Sequence, residues 1–192
     1  RKTLVDLVQK VAKAINIPFT VGGGISSVED AKRIIDSGAD KISVNSSAVK
    51  RPELVKELAD ELGSQCVVVA IDTKWTGKEW KVYVKGGRDE TPLLTLDWAK
   101  EVEALGAGEI LLTSMNNDGT KDGFAIEVCD MVSKAVNIPV IASGGAGNAQ
   151  HFTEVFTHTD VSAALAASIF HFSEVAIPDL KQDLKAQNIS VR

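Results

Sequence analysis

The sequence predicts an α/β fold on a parallel sheet, and three observations predict it. Apolar runs suited to strands alternate with amphipathic helical stretches along the chain. The strand runs are continuously apolar rather than alternating, which is how strands buried on both faces read. A strand–glycine–helix–strand pattern also occurs twice at matching spacing.

The first element is a helix over 3–15, where Leu4, Leu7, Val8, Val11 and Ile15 recur at intervals of three and four. Asn16-Ile17-Pro18 stops it. Phe19-Thr20-Val21 reads as a short strand running into Gly22-Gly23-Gly24. Ser26 or Ser27 caps the next helix, with Glu29 in its first turn, and that helix closes near Gly38. Residues 41–44 form a second strand, and Pro52 opens a helix at a position where its missing N–H costs nothing. The run CVVVAI, 66–71, is the strongest strand signal. A different texture follows: 75–84 reads as a β-hairpin turning at Gly77. Then come helix 94–105, strand 109–112, helix 125–135, strand 139–142, helix 149–156, strand 162–166 and a last helix over 177–187.

Six strand–helix units of about 30 residues fill the chain, whereas a closed (βα)8 barrel takes about 250 residues. The expectation is an incomplete TIM (βα)8 barrel holding strands three to eight, in a single domain over 1–192 with no dividing linker. The chain opens on a helix with no strand before it, so the missing part is expected at the N-terminus.

Composition narrows the function. The 192 residues are 44% hydrophobic and carry a formal net charge of −5, so no basic field invites nucleic acid. No apolar run approaches the roughly 18 residues of a membrane span, and no signal-like segment stands at the start. Cys66 and Cys129 lie far apart in apolar runs without metal-ligand spacing. They read as reduced core residues, which fits a cytoplasmic protein. No metal or cofactor is expected.

The repeat carries the first functional signal. PFTVGGGI, 18–25, is followed some twenty residues on by ADKISVNS, 39–46. PVIASGGA, 139–146, is followed at nearly the same distance by SAALAAS, 162–168. A phosphate bound without lysines needs bare backbone N–H groups at close range, which glycine permits, and a following helix N-terminus adds partial positive charge. Two phosphate sites are expected: Gly24 with Asn45 and Ser46, and Gly145 with Ala167 and Ser168. Such a pair suits a substrate with a phosphate at each end. The bland alternative is that the glycines only let helices pack closely on strands.

Two carboxylates stand where barrel enzymes place their chemistry, at C-terminal strand ends. Asp72 ends VVVAID and reads as an acid–base group pointing into the mouth, or as a cap on the next turn. Asp118, in TSMNNDGTKDG after the sixth strand, is either a turn former or part of a substrate loop. Of the histidines, His151 sits in the helix after the second glycine motif, His158 reads as a solvated loop residue, and His171 as structural. No Ser-His-Asp arrangement is visible.

The segments RKTLVDLVQKV, FTVGGGI, ADKISVNSSAV, GSQCVVVAID, GAGEILLTSMNNDGTKDG, IPVIASGGAG and AALAASIFHF, with the hairpin after Asp72, resemble the cyclase subunit of imidazole glycerol phosphate synthase, from residue 1 to 192. The resemblance implies that ammonia from a glutaminase partner attacks a bis-phosphorylated formimino-aminoimidazole-carboxamide ribonucleotide carrying a ribulosyl group. The products are imidazole glycerol phosphate and an aminoimidazole carboxamide ribotide. By position, Asp72 is one of two catalytic aspartates. Asp118 and Gly119 match the substrate loop, Thr113 lines the mouth, and Gly24, Asn45, Ser46, Gly145, Ala167 and Ser168 match phosphate contacts. Asp40, Lys41 and Glu109 fall on the partner face, Lys41 and Glu109 in a charged ammonia gate. Taken alone, Lys41 and Glu109 are ordinary strand-end charges. Asn116 stands where many members have Asp. The family's other catalytic aspartate and a mobile loop belong to the absent start, so the chain by itself is expected to lack cyclase activity, with two sheet edges exposed. Two other readings are a related phosphate-barrel isomerase, which typically lacks the hairpin, and a non-catalytic binding scaffold.

Overall fold

The structure, a computed structural model, describes residues 2–192; Arg1, the first residue of the RKTLVDLVQKV segment, lies outside them. In chain order the strands are β1 (Thr20–Gly22), β2 (Lys41–Val44), β3 (Val67–Trp75), β4 (Trp80–Val84), β5 (Asp89–Leu94), β6 (Glu109–Ser114), β7 (Val140–Ser143) and β8 (Ala163–Leu165). The helices are α1 (Lys2–Ala14), α2 (Val28–Asp36), α3 (Ser46–Lys50), α4 (Glu53–Leu62), α5 (Thr95–Ala104), α6 (Ile126–Ser133), α7 (Ala149–His158), α8 (Ser168–His171) and α9 (Ile177–Ala186). Two compact units divide the chain: residues 1–70 with 101–110, and residues 71–100 with 111–192.

In the first unit the strand order is β1-β2-β3-β6. β1 lies parallel to β2 with Thr20 opposite Lys41 and Gly22 opposite Ser43, and β2 lies parallel to β3 with Ile42 opposite Val67 and Val44 opposite Val69. The N–H of Gly108 donates to the carbonyl of Val67 at 2.9 Å just before β6 begins. Side chains alternate across a strand. In β2, Ile42 and Val44 are buried while Lys41 and Ser43 are half-buried. Ser27 caps α2, its hydroxyl accepting from the N–H of Asp30 at 3.2 Å, and Ala31 and Ile34 turn inward. Ile34, Ile42, Leu54, Leu58, Val67 and Val69 are all buried. Each such side chain taken from water contributes about 1.5–3 kcal/mol.

In the second unit the order is β3-β6-β7-β8, with β7 and β8 parallel and β4 and β5 branching from β3. The strand carrying Asp72 does not end there. It runs on to Trp75 because β4 pairs antiparallel with its last residues, Asp72 opposite Tyr83 through Trp75 opposite Trp80. The expected hairpin is present, closed by the Thr76 N–H to the Glu79 carbonyl at 3.1 Å and by Gly77 at φ 91°. It continues into β5, which pairs with β4 alone and was not expected. Pro92 and the charges of Arg88, Asp89 and Glu90 disguise it; an edge strand tolerates proline because one side needs no ladder partner.

Thr73 and Thr95 bury their hydroxyls against each other at 2.5 Å, fastening the base of the hairpin to α5. Phe124, Phe152 and Phe170 form an aromatic row with centroid spacings of 5.4 and 6.1 Å. Both cysteines are free. Cys66 is half-buried, while burial pushes the Cys129 thiol up to about 12. No described helix is long and apolar enough to cross a membrane.

Candidate active site

The two glycine segments hold equivalent places in two parallel strand pairs. In the first unit Gly22 faces Ser43, so Gly24 and Asn45 each stand two residues beyond the paired position. In the second unit Ser143 faces Leu165, and Gly145 and Ala167 again stand two residues beyond. A short helix follows each second strand at once. α3 begins at Ser46 and α8 at Ser168, so both serines are first helical residues. Neither helix is legible from periodicity, since four or five residues are too few for a periodic apolar face.

The surroundings differ. Gly23 and Gly24 are exposed, and a cavity of about 40 Å³ beside them is lined chiefly by Leu4, Val5, Ile25 and Ile34, with Asp30 and Arg33 at hand. Asn45 and Ser46 do not line that cavity. The Oδ1 of Asn45 is buried without a hydrogen-bond partner among the described residues. Leaving such a group unpaired costs about 1–3 kcal/mol, which a ligand would offset.

In the second unit Asp118, Gly119, Gly145, Ala167 and Ser168, all singled out from the sequence, line one cavity of about 200 Å³. Its roof is the loop after β6. The Asn117 side chain accepts from the Ser114 hydroxyl at 2.8 Å and donates to the Gly123 carbonyl at 2.9 Å. The Gly123 N–H donates to the Gly145 carbonyl at 2.8 Å. Gly145 has φ 102°, and a Cβ there would fall on the Gly123 carbonyl oxygen; a Cβ on Gly144 would come within 2.7 Å of the Ser114 carbonyl oxygen. Close packing therefore also requires glycine here, and it is a loop that packs on the strand end, not the helix of the bland reading. His151 caps the segment, its Nδ1 accepting from the Gly147 N–H at 3.0 Å.

Asp72 is half-buried on β3 opposite Tyr83 and does not line this cavity. Thr113 is half-buried on β6. The Asp118 carboxylate is exposed, with no side-chain partner among the described residues, while its N–H is tied to the Ser114 carbonyl at 2.9 Å. Asn116 clips the loop to the hairpin, its Oδ1 accepting from the Trp75 N–H at 2.8 Å. At the other strand ends, within the first unit, Lys41 and Glu109 form an ion pair with side chains 29% and 21% exposed. Asp40 accepts the Phe19 N–H at 2.9 Å, so its carboxylate also fastens the entry to β1.

The model of a histidine biosynthesis protein family matches residues 1–176. The chain is 58% identical to imidazole glycerol phosphate synthase subunit HisF of Flavobacterium psychrophilum, over the whole chain and 76% of the relative. The chain belongs to the HisF family. The subunit HisF of Flavobacterium johnsoniae is 59% identical over the same shares, and that of a Hydrogenobaculum species 56% identical over the whole chain and 77% of its own length. HisF proteins are the cyclase subunits of imidazole glycerol phosphate synthase, lyase-type enzymes of histidine biosynthesis with a TIM-barrel fold. Lys121, Asn117 and Glu174 escaped the sequence reading. Lys121 stood inside the quoted loop, but Glu174 lies in a turn with no signal of its own.

Proposed function

We propose that this chain contributes, as part of an intact cyclase subunit, to ammonia-dependent imidazole ring formation on the bis-phosphorylated, ribulosyl-bearing formimino substrate, with ammonia supplied by a glutaminase partner subunit. The observation that carries this reading is the recurrence of one strand register at both cradles, one cradle for each phosphate of the substrate. Gly24, Asn45 and Ser46 hold one phosphate; Gly145, Ala167 and Ser168 hold the other through backbone N–H groups and hydroxyls. Asp118 and Gly119 close the substrate loop, and Thr113 lines the mouth. Asp72 transfers the proton that ring closure requires. Lys41 and Glu109 gate the ammonia path, with Asp40 on the partner face. The step needs no metal or cofactor. A single barrel domain over 1–192 and a cytoplasmic location complete the proposal, supported by the extent of the family match and by the free cysteines.

The test is Asp72→Asn in the intact subunit, assayed with ammonia. A fall in kcat of about 10²–10⁴-fold with an unchanged KM is expected. Turnover at the original rate would remove Asp72 from the chemistry and overturn the mechanism.

A further inference from the structure

The geometry points to Lys121 as a further substrate-binding residue of the second cradle, held in reserve by Glu174 and handed over to the incoming phosphate. The inference rests on the reading of that cradle as a phosphate site. Lys121 is the one cationic residue lining the cavity among the described residues, and Asp118 is the only other charged one. A phosphate entering beside the Asp118 carboxylate meets repulsion that the neutral backbone donors only partly offset, so a cation at this wall matters.

The main chain of Lys121 is fixed, and its side chain reaches across to Glu174. Its φ is 65°, in the left-handed region, and its carbonyl oxygen fills the space that a Cβ on Gly147 would take. The Nζ sits 2.6 Å from both carboxylate oxygens of Glu174, in the turn between α8 and α9. The Glu174 N–H donates to the Ile169 carbonyl at 2.8 Å, which fixes that backbone as well. Two anchored backbones thus hold an ion pair whose side chains are 43% and 40% exposed. Exposed pairs of this kind are weak. A phosphate carries more charge than a carboxylate and more acceptor oxygens, so the ammonium gains by changing partner while Glu174 returns to water. Glu174 is therefore a competitor of the phosphate for Lys121, not a ligand.

The experiment is a titration of the full chain with inorganic phosphate at low salt, followed by the amide signals of Gly145 and Ser168. Wild type is expected to bind. Lys121→Met should weaken binding about tenfold or more, and Lys121→Arg should largely retain it. Glu174→Gln should tighten binding several-fold, and should do nothing in the Lys121→Met background, because the two residues act as a unit. If wild type binds and Lys121→Met binds equally well, the handover is wrong and the cradle stands. Weaker binding by Glu174→Gln also overturns it, since Glu174 then supports the site. If wild type shows no phosphate response at these amides, the cradle reading itself falls, and the handover with it.

Discussion

An added Cβ at Gly24 would meet nothing within 4 Å, whereas at Gly145 it would land on the carbonyl oxygen of Gly123. The two positions occupy the same place in the same register, and both have positive φ, 73° and 102°. The first glycine stands free at the end of its strand. The second is pressed beneath a loop whose own hydrogen bonds depend on its lying close. A repeated motif therefore repeats a backbone path without repeating what holds the path in place. The Cβ position of the first glycine is open, and that of the second is filled by tertiary packing.

Substitution makes that contrast measurable. Gly145→Ala combines a disfavoured φ with a main-chain clash, and we expect a loss of about 3 kcal/mol or more, read as a fall in denaturation midpoint. Asn117→Ala removes two hydrogen bonds from the roof and should cost about 2 kcal/mol, with increased amide exchange at Gly123 and Gly145 and none at Gly24. Gly24→Ala suffers only the conformational penalty, about 1 kcal/mol, with the fold kept. Equal losses at Gly24 and Gly145 would erase the distinction between the cradles.

The hairpin supplies the smallest effect and a control outside both cradles. Hydrogen bonds from Lys81 and then Tyr83 hold the Glu90 carboxyl below its ordinary 4.5. Its contribution is complete above that value and fades as pH falls through the lower folded one. Glu90 in turn raises Lys81 above 10.5 and Tyr83 above 10.0, so their share persists below those values and is lost as pH rises past the folded ones. Exchange protection of β4 and β5, corrected for intrinsic rates, should form a plateau between these limits while both cradles stay unchanged near its edges. Protection that stays flat down to pH 3 would show that these charges do not fasten the hairpin.

Much of this was legible in the chain itself. The six strand–helix units follow from apolar runs, and the core strands begin within a residue or two of their expected places, because burial on both faces leaves an unbroken apolar signature; β3 alone runs four residues past its expected end. Asp118, Gly119, Gly145, Ala167 and Ser168 could be assembled from spacing and resemblance because strand register converts sequence interval into proximity. What escaped depends on contacts distant in sequence. Asp72 appeared to end a strand because its continuation is polar, and only pairing with β4 reveals it. The Lys121–Glu174 pair spans 53 positions and no periodicity announces it. The demand for glycine at 145 arises from Gly123, whose position no local pattern encodes.

Burial of Cys129 has a practical consequence for chemistry at sulfur. Alkylating reagents attack the thiolate, and a thiol pushed up to about 12 is almost wholly protonated at neutral pH. Cys66, half-buried beside the start of β3, remains the accessible sulfur. Brief iodoacetamide treatment of the native chain should therefore add one carbamidomethyl group, at Cys66. The second should appear only as the region around α6 opens, so the mass of the labelled chain becomes a clock for the loosening of its own interior.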